Sequence, residues 1–204
     1  MNEVKLAKRL LDLQKLLLQF LEIERMIYLP DGAIKNRRET DTEHSFHLAM
    51  LAWYLCSAYP HLDRDKVIRY SLAHDLVEIY AGDIMAVGRT EEQQIEKEKR
   101  EKSALKKLKA NWPDFGDMTN TIEEYEKQDN PEAVFVKALD KILPMILNIL
   151  GEGKTWKIYD IKRSTVIKLK DDKTKHSKEI SEIWKVLRAE IMSRDDFFNP
   201  GKTD

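Results

Sequence analysis

The chain reads Val67-Ile-Arg-Tyr-Ser-Leu-Ala-His-Asp-Leu-Val-Glu-Ile79, an apolar segment with helical spacing that contains the doublet His74-Asp75. Burying an uncompensated ionisable pair is costly, so this doublet needs partners. His44 and Asp140, each in a helical segment far away along the chain, are the candidates. Two histidines and two aspartates from separate helices could together bind one divalent cation.

The composition is typical of a helical protein. Leu, Lys, Glu and Ala are abundant, whereas the 204 residues include only 7 Gly and 6 Pro. The 35 basic and 36 acidic residues nearly cancel, so we expect no attraction to nucleic acid or to a membrane. A lone cysteine, Cys56, excludes an internal disulfide and favours a reducing cytoplasm. No signal-peptide pattern and no apolar run near the roughly 20 residues that span a bilayer are present, which predicts a cytoplasmic protein.

The first helices are delimited by leucine spacing and by capping signals. A helix is predicted from about Glu3 to Arg25. Its buried face is marked by leucines three and four residues apart, namely Leu6, Leu10, Leu13, Leu17 and Leu21. Thr40-Asp-Thr-Glu43 has the capping-box spacing and opens a second helix. The third helix is predicted to carry the doublet and to stop before Ala81-Gly82.

The rest of the chain is also predicted to be helical. Helices are expected over about 90–110, 118–128 and 130–150, and one or two charged amphipathic helices follow from about Tyr159. We find no internal repeat, low-complexity tract or linker. The sequence therefore predicts an all-α fold, a single-domain helical bundle over 1–204. Its core is expected at about 18–150, with C-terminal helices at 159–195 packed on it.

Histidine together with aspartate suits a divalent ion such as Mn²⁺, Co²⁺, Fe²⁺, Ni²⁺ or Mg²⁺. Four protein ligands on an octahedral ion would leave two positions for water or a phosphate oxygen, as hydrolytic chemistry requires. Taken singly, each residue has another interpretation. His74 could be a hydrogen-bonded core histidine, Asp75 an ion-pair partner, and Asp140-Lys141 a solvated pair on a helix surface.

The order of these residues resembles the H…HD…D pattern of the HD superfamily of metal-dependent phosphohydrolases. Glu43-His44-Ser45 and Glu78-Ile-Tyr-Ala-Gly-Asp83 strengthen the resemblance, which covers about Leu18 to Leu150. Within the superfamily the chain is similar to the small bacterial 5′-deoxynucleotidases and the HD domain-containing protein 2 group. The resemblance implies a helical bundle of the HD-domain type, one divalent metal ion and a homodimer.

The resemblance also carries site residues over one by one. It implies a set of metal ligands made of His44, His74, Asp75 and Asp140. Glu78 and Asp83 match acidic residues to which the family assigns roles in orienting or activating water. Arg25 is the nearest match to an arginine, near the end of the family's first helix, that holds the substrate phosphate. Met26 follows it where the deoxynucleotidase has a sugar-selecting tryptophan, so the choice between ribose and deoxyribose stays open.

Three more basic residues, Arg37, Arg38 and Lys141, are substrate-binding candidates, because cationic side chains donate hydrogen bonds to phosphate oxygens. Ion pairs with Glu39 and Glu43 are the alternative for the two arginines.

The predicted function is that of a divalent-metal-dependent phosphohydrolase acting on a small phosphate ester. Its best candidate reaction is that of a 5′-nucleotidase, which converts (deoxy)ribonucleoside 5′-monophosphates to nucleoside and phosphate. One alternative is an HD hydrolase of a nucleoside triphosphate or cyclic dinucleotide. Another is a metal-binding regulatory module without turnover, although Glu78 and Asp83 argue against it because a purely structural site needs no additional carboxylates.

Overall fold

The computed structural model describes residues 2–32, 35–82 and 90–204. The described chain is mostly α-helical, so the all-α prediction is confirmed, with one short β-hairpin added between the first two helices. The helices are α1 (Glu3–Leu21), α2 (Asp41–Cys56), α3 (Arg64–Ala73), α4 (Glu78–Ala81), α5 (Glu91–Asn111), α6 (Gly116–Lys127), α7 (Pro131–Leu150), α8 (Lys154–Ile158), α9 (Arg163–Thr174) and α10 (Lys178–Ser193). Among the described helices, none has the combined length and apolarity that crossing a membrane requires.

Helix α1 buries a different stripe from the one predicted. Leu16 and Phe20 are buried against the residues around α4 and α5. Four of the predicted core leucines are instead 42–60% exposed, namely Leu6, Leu10, Leu17 and Leu21. The prediction was wrong because leucines occupy most of the circumference of α1, so their spacing cannot tell which stripe faces the core.

The hairpin corrects the predicted end of the first helix. Strand β1 (Glu24–Tyr28) pairs antiparallel with β2 (Arg38–Thr40), with Glu24 opposite Thr40. Arg25 was predicted to lie at the end of the first helix, but it lies on β1. Strands this short have too few residues to give a recognisable alternation, and their pairing partner is distant along the chain. The hairpin places Arg25 close to the first residues of α2.

The segment that carries the doublet is also less regular than predicted. Helix α3 ends at Ala73, and His74-Asp75 lies in the turn that leads to α4. Tight hydrogen bonds hold this turn, from Leu76 N to the Ala73 carbonyl and from Glu78 N to the Asp75 carbonyl. The prediction that the third helix carries the doublet and continues almost to Ala81 was therefore wrong. The turn still keeps the doublet in the interior, because apolar residues flank it on both sides.

The core of the protein is built around α7. This helix is buried along most of its length and packs against α2, α3, α9 and α10. A second cluster joins α1, the α3–α4 region, α5 and α6. The doublet lies in the turn between α3 and α4, and Asp140 lies on α7.

The loop that follows α7 contacts the C-terminal region of the chain at Gly153. This residue has a φ of +73°, a conformation that favours glycine. A side chain there would overlap the backbone of Phe197, which ends the 3-10 turn Asp195–Phe197. The C-terminal turn is thus packed directly against the start of α8.

Candidate metal centre

The structure brings His44, His74 and Asp75 together. One ligand atom from each of the three lies within 4.8 Å of those of the other two. His44 comes from α2, and its ring centroid is 5.6 Å from that of His74. Both rings are buried. Three potential ligands therefore converge from two parts of the chain.

Asp140 adds a fourth oxygen donor from α7. Its Oδ1 lies 3.0 Å from His44 Nε2, although the two residues are 96 positions apart in the sequence. The side chain of Asp140 is buried. The four predicted ligands thus lie at one junction of α2, the α3–α4 turn and α7.

The orientation of His74 suits a metal ligand. Its Nδ1 lies 3.0 Å from the Ser71 carbonyl, and since a carbonyl can only accept, Nδ1 carries the proton. When the ring is neutral, Nε2 therefore keeps the lone pair; it is buried and makes no hydrogen bond within the described part of the chain. Asp75 Oδ2 lies 3.1 Å from it. A neutral imidazole fixed by a carbonyl on one nitrogen and open on the other is the form that binds divalent metals.

Glu39 supports His44 from behind. Glu39 is fully buried on β2, and its Oε2 lies 3.4 Å from His44 Nδ1. Its Oε1 lies 3.3 Å from His47 Nδ1. Burial acts to raise the pKa of Glu39, but the contacts with the two histidines and the charge of Arg25 outweigh it, so the pKa is lowered. An ionised carboxylate in this place can orient a ligand histidine.

Arg25 lies between the carboxylates of the centre. Its Nη1 donates to Asp41 Oδ1 at 2.9 Å and to Asp75 Oδ2 at 2.8 Å. Nη2 lies 4.0 Å from Asp140 Oδ1. Asp41 is buried at the first position of α2, where the sequence pattern indicated only helix capping.

The carboxyl groups of the centre are held ionised. Burial acts to raise the pKa of Asp75, but His74 and Arg25 outweigh it and the pKa is lowered. For Asp140 the charge of Lys141 and the hydrogen bond with His44 have the same effect against burial, and its pKa is lowered. The pKa of His74 is raised in turn, because the charge of Asp75 overcomes burial. A negative field that attracts a proton to this imidazole would also attract a divalent cation.

Glu78 is buried at the start of α4 and has a cationic partner that the sequence did not indicate. Its Oε1 accepts a hydrogen bond of 2.5 Å from Lys97 Nζ on α5, and the same ammonium pairs with Glu101. Burial acts to lower the pKa of Lys97, but the two carboxylates outweigh it and the pKa is raised. Lys97 was overlooked because α5 has the Glu- and Lys-rich composition of an exposed helix. Asp83 lies outside the described residues.

The four substrate-binding candidates divide into two groups. Arg25 and Lys141 lie at the centre, where Lys141 Nζ donates to Asp140 Oδ2 at 2.6 Å. Lys141 also lines a cavity of about 550 Å³ whose wall is mostly basic, with Lys137, Lys173, Lys175 and His176. Arg37 is instead bound to Glu43 by two hydrogen bonds of 2.7 Å, and Arg38 pairs with Glu24 across the hairpin.

Residues 22–184 match the family model of the HD domain. The chain therefore belongs to the HD domain family, as the H…HD…D pattern predicted. The fold is similar to that in the crystal structure of a predicted metal-dependent phosphohydrolase from Magnetospirillum magnetotacticum. The two chains are 30% identical, the TM-score is 0.78, and the match covers 96% of each chain.

Two similar proteins share one name. The chain is 31% identical over 170 residues to 5′-deoxynucleotidase HDDC2 of Xenopus laevis, a match that covers 80% of this chain and 81% of the relative. It is also 31% identical over 137 residues to 5′-deoxynucleotidase HDDC2 of Bos taurus, covering 66% of this chain and 64% of the relative. The second match spans slightly less than two thirds of the bovine protein.

Proposed function

We propose that this chain is a divalent-metal-dependent phosphohydrolase that converts nucleoside 5′-monophosphates to nucleoside and phosphate. The observation that carries the proposal is the convergence of the buried His44 and His74 with the partly buried Asp75, where Asp75 Oδ2 lies 3.1 Å from His74 Nε2. The names of the relatives and of the structural neighbour support the same class of reaction.

We assign the ion to four ligands, His44, His74, Asp75 and Asp140. Their imidazole nitrogens and carboxylate oxygens suit Mn²⁺, Co²⁺, Fe²⁺, Ni²⁺ or Mg²⁺. An ion held there would supply Lewis-acid activation of the phosphate ester and of water. Glu39, behind His44, would keep that imidazole in its binding orientation.

The remaining roles belong to side chains of the same centre. Glu78 would accept a proton from the attacking water or orient that water, since Lys97 keeps its carboxylate charged in a buried place. Asp83 is proposed as the second acidic residue of the reaction. Arg25 and Lys141 would bind the phosphate group, because each places a cation against a ligand carboxylate. Binding by Arg37 and Arg38 stays a prediction, and both would first have to leave their present carboxylate partners.

The reaction can be tested by a turnover screen. Purified protein with Mn²⁺, Co²⁺, Ni²⁺ or Mg²⁺ is incubated with deoxyribo- and ribonucleoside mono- and triphosphates. We expect release of inorganic phosphate from the 5′-monophosphates. Release of pyrophosphate or tripolyphosphate would point to a triphosphate hydrolase instead, and no turnover of any ester would favour a binding module.

Variants separate the two kinds of residue. Asp75→Ala should lose metal binding and turnover together. Glu78→Gln should lower kcat by roughly 10²- to 10⁴-fold, the usual contribution of a general base, while metal binding is retained. Glu96→Gln, an exposed residue on α5, is the matched control and should behave like the wild type. A fully active Glu78→Gln variant would remove Glu78 from the mechanism.

We further propose that the active form is a homodimer that buries the apolar surface of α1 and α2. Beside the exposed leucines of α1, helix α2 exposes Phe46, Met50 and Trp53 at helical spacing. Apolar patches of this kind commonly mark protein–protein interfaces. Sedimentation of a Met50→Glu, Trp53→Glu double variant should give a monomer. Val186→Glu, on an exposed site of α10, should leave the dimer intact, and a monomeric wild type would contradict the proposal.

A further inference from the structure

Lys170 is a buried cation on α9. Only 6% of the residue is exposed, and it lies on the face of the helix that also buries Val166, Ile167 and Thr174. This face packs against α7, the helix that carries Asp140 and Lys141. An interior position is unusual for lysine, because its charge loses hydration there.

The ammonium group of Lys170 forms no salt bridge, with no carboxylate oxygen within 4.0 Å, in the part of the chain that the structure describes. Among the described residues, the hydrogen bond that Lys170 makes with a side chain involves its backbone, where its carbonyl accepts from Thr174 Oγ1. The other cations around the centre differ in this respect. Arg25 pairs with Asp41 and Asp75, and Lys141 pairs with Asp140.

The charges that act most on Lys170 are those of the metal centre. Burial lowers the pKa of Lys170 to about 7, and the nearby charges that act on it most are those of Lys141, Asp140 and Arg25. All three belong to the centre described above. Together with the packing of α9 on α7, this puts Lys170 within electrostatic reach of the centre.

We infer that Lys170 is a further substrate-binding residue, which donates hydrogen bonds to non-bridging oxygens of the phosphate group and to the inorganic phosphate product. This inference rests on the proposed function. A phosphate monoester is a dianion, and Arg25 and Lys141 are already shared with carboxylates of the protein. A buried amine within electrostatic reach of them, whose protonation a bound dianion would favour, supplies the additional positive charge that the dianion needs.

The test is an isothermal titration calorimetry experiment in which inorganic phosphate is added to the Mn²⁺-loaded protein. The wild type, Lys170→Met and Lys168→Met are compared. Lys170→Met should raise the Kd for phosphate at least tenfold and raise KM for a nucleoside monophosphate more than it lowers kcat. Lys168→Met removes an exposed lysine two positions away on α9 and should stay within about twofold of the wild type. The affinity for Mn²⁺ should be unchanged in both variants.

Thermal unfolding separates substrate binding from a packing role. Without phosphate, Lys170→Met should be at least as stable as the wild type, because a buried charge without a partner is removed. Lys170→Gln, which keeps a polar end without the charge, should show the same loss of phosphate affinity. If Lys170→Met and Lys170→Gln both have a lowered Tm and both lose Mn²⁺ binding, the inference is overturned, since the lysine would then be structural.

The outcomes also distinguish this inference from the proposed function. Wild-type phosphate affinity in Lys170→Met overturns the inference even if the enzyme hydrolyses nucleotides normally, and so does a wild type that binds no phosphate. If the wild type hydrolyses no phosphate ester but loses phosphate binding on substitution of Lys170, the inference stands and the proposed function fails.

Discussion

Lys97 neutralises the buried carboxylate of Glu78, and this contact gives a prediction for a single side chain. Lys97→Met should lower kcat roughly tenfold or more, because removing the ammonium takes away positive charge that compensates the buried carboxylate of Glu78, so its protonation becomes more favourable. The pH at which activity is half lost on the acid side should therefore rise. A pH–rate profile of kcat measures both effects.

Two further variants make the role of Lys97 specific. Lys97→Arg keeps the charge and should restore much of the wild-type profile. Lys99→Met removes an exposed lysine of the same helix and should change nothing. An unshifted acid limb in Lys97→Met would mean that the ammonium does not control the charge of Glu78.

Residues with a chemically unusual setting could be predicted from the sequence, whereas their supporting partners could not. His74 and Asp75 stand out because ionisable groups interrupt an apolar run. Glu39 and Lys97 do not, since one precedes a capping motif and the other lies in a helix of mixed charges, where such residues are normally solvated. Their importance arises only from the tertiary contacts with His44 and Glu78.

At the scale of elements, the capping box at the start of α2 supports the helix that carries His44. Thr40 Oγ1 accepts from Glu43 N, and the Glu43 carboxylate accepts from Thr40 N and from Arg37. The hydrogen bonds from Arg37 lower the pKa of Glu43 to about 2. Because its pKa is depressed on folding, Glu43 stabilises the fold above its ordinary pKa near 4.5, and this contribution is lost as the pH falls through about 2.

We predict that Glu43→Gln lowers the free energy of unfolding by about 1–2 kcal/mol at pH 7, a value that allows for solvent screening of a partly exposed ion pair. The difference from the wild type should shrink below pH 4.5 and vanish near pH 2. Urea unfolding at several pH values measures it, with Glu96→Gln as the control. A difference independent of pH would show that charge is not the cause.

Elements with a long, one-sided pattern or a capping signal were predictable. The second helix begins at the predicted capping box, and the helix that starts at Asn130-Pro131 has the predicted N-terminus. The end of α1 and the turn at the doublet could not be predicted, because both depend on contacts that the spacing of residues does not encode. The hairpin terminates α1 through pairing with residues of β2, and the α3–α4 turn is held by local carbonyl contacts that spacing does not reveal.

For the whole molecule, the proposed ligands come from three places in the chain and meet only after α2, α3 and α7 have packed. Metal binding should therefore stabilise the native state as a whole. At a metal concentration 100 times Kd the gain is about 2.7 kcal/mol, which corresponds to a rise in Tm of roughly 5–11 °C for a chain of this size.

Differential scanning calorimetry with and without Mn²⁺ measures this rise. Asp75→Asn should abolish it, and Asp65→Asn, an exposed aspartate at the start of α3, should retain it. Equal metal-induced shifts in the wild type and in Asp75→Asn would place the ion elsewhere.

Gly153 has a consequence for how the sequence can vary. The backbone of Phe197 occupies the space that a side chain at position 153 would need. A Cβ atom at Gly32 or Gly116 would have no atom within 4 Å. Substitutions should therefore accumulate freely at the latter two positions, while position 153 stays invariant among functional members of a saturation library. A residue without a functional group would thus be conserved, because the packing of the C-terminal turn at Phe197 requires a glycine at this position.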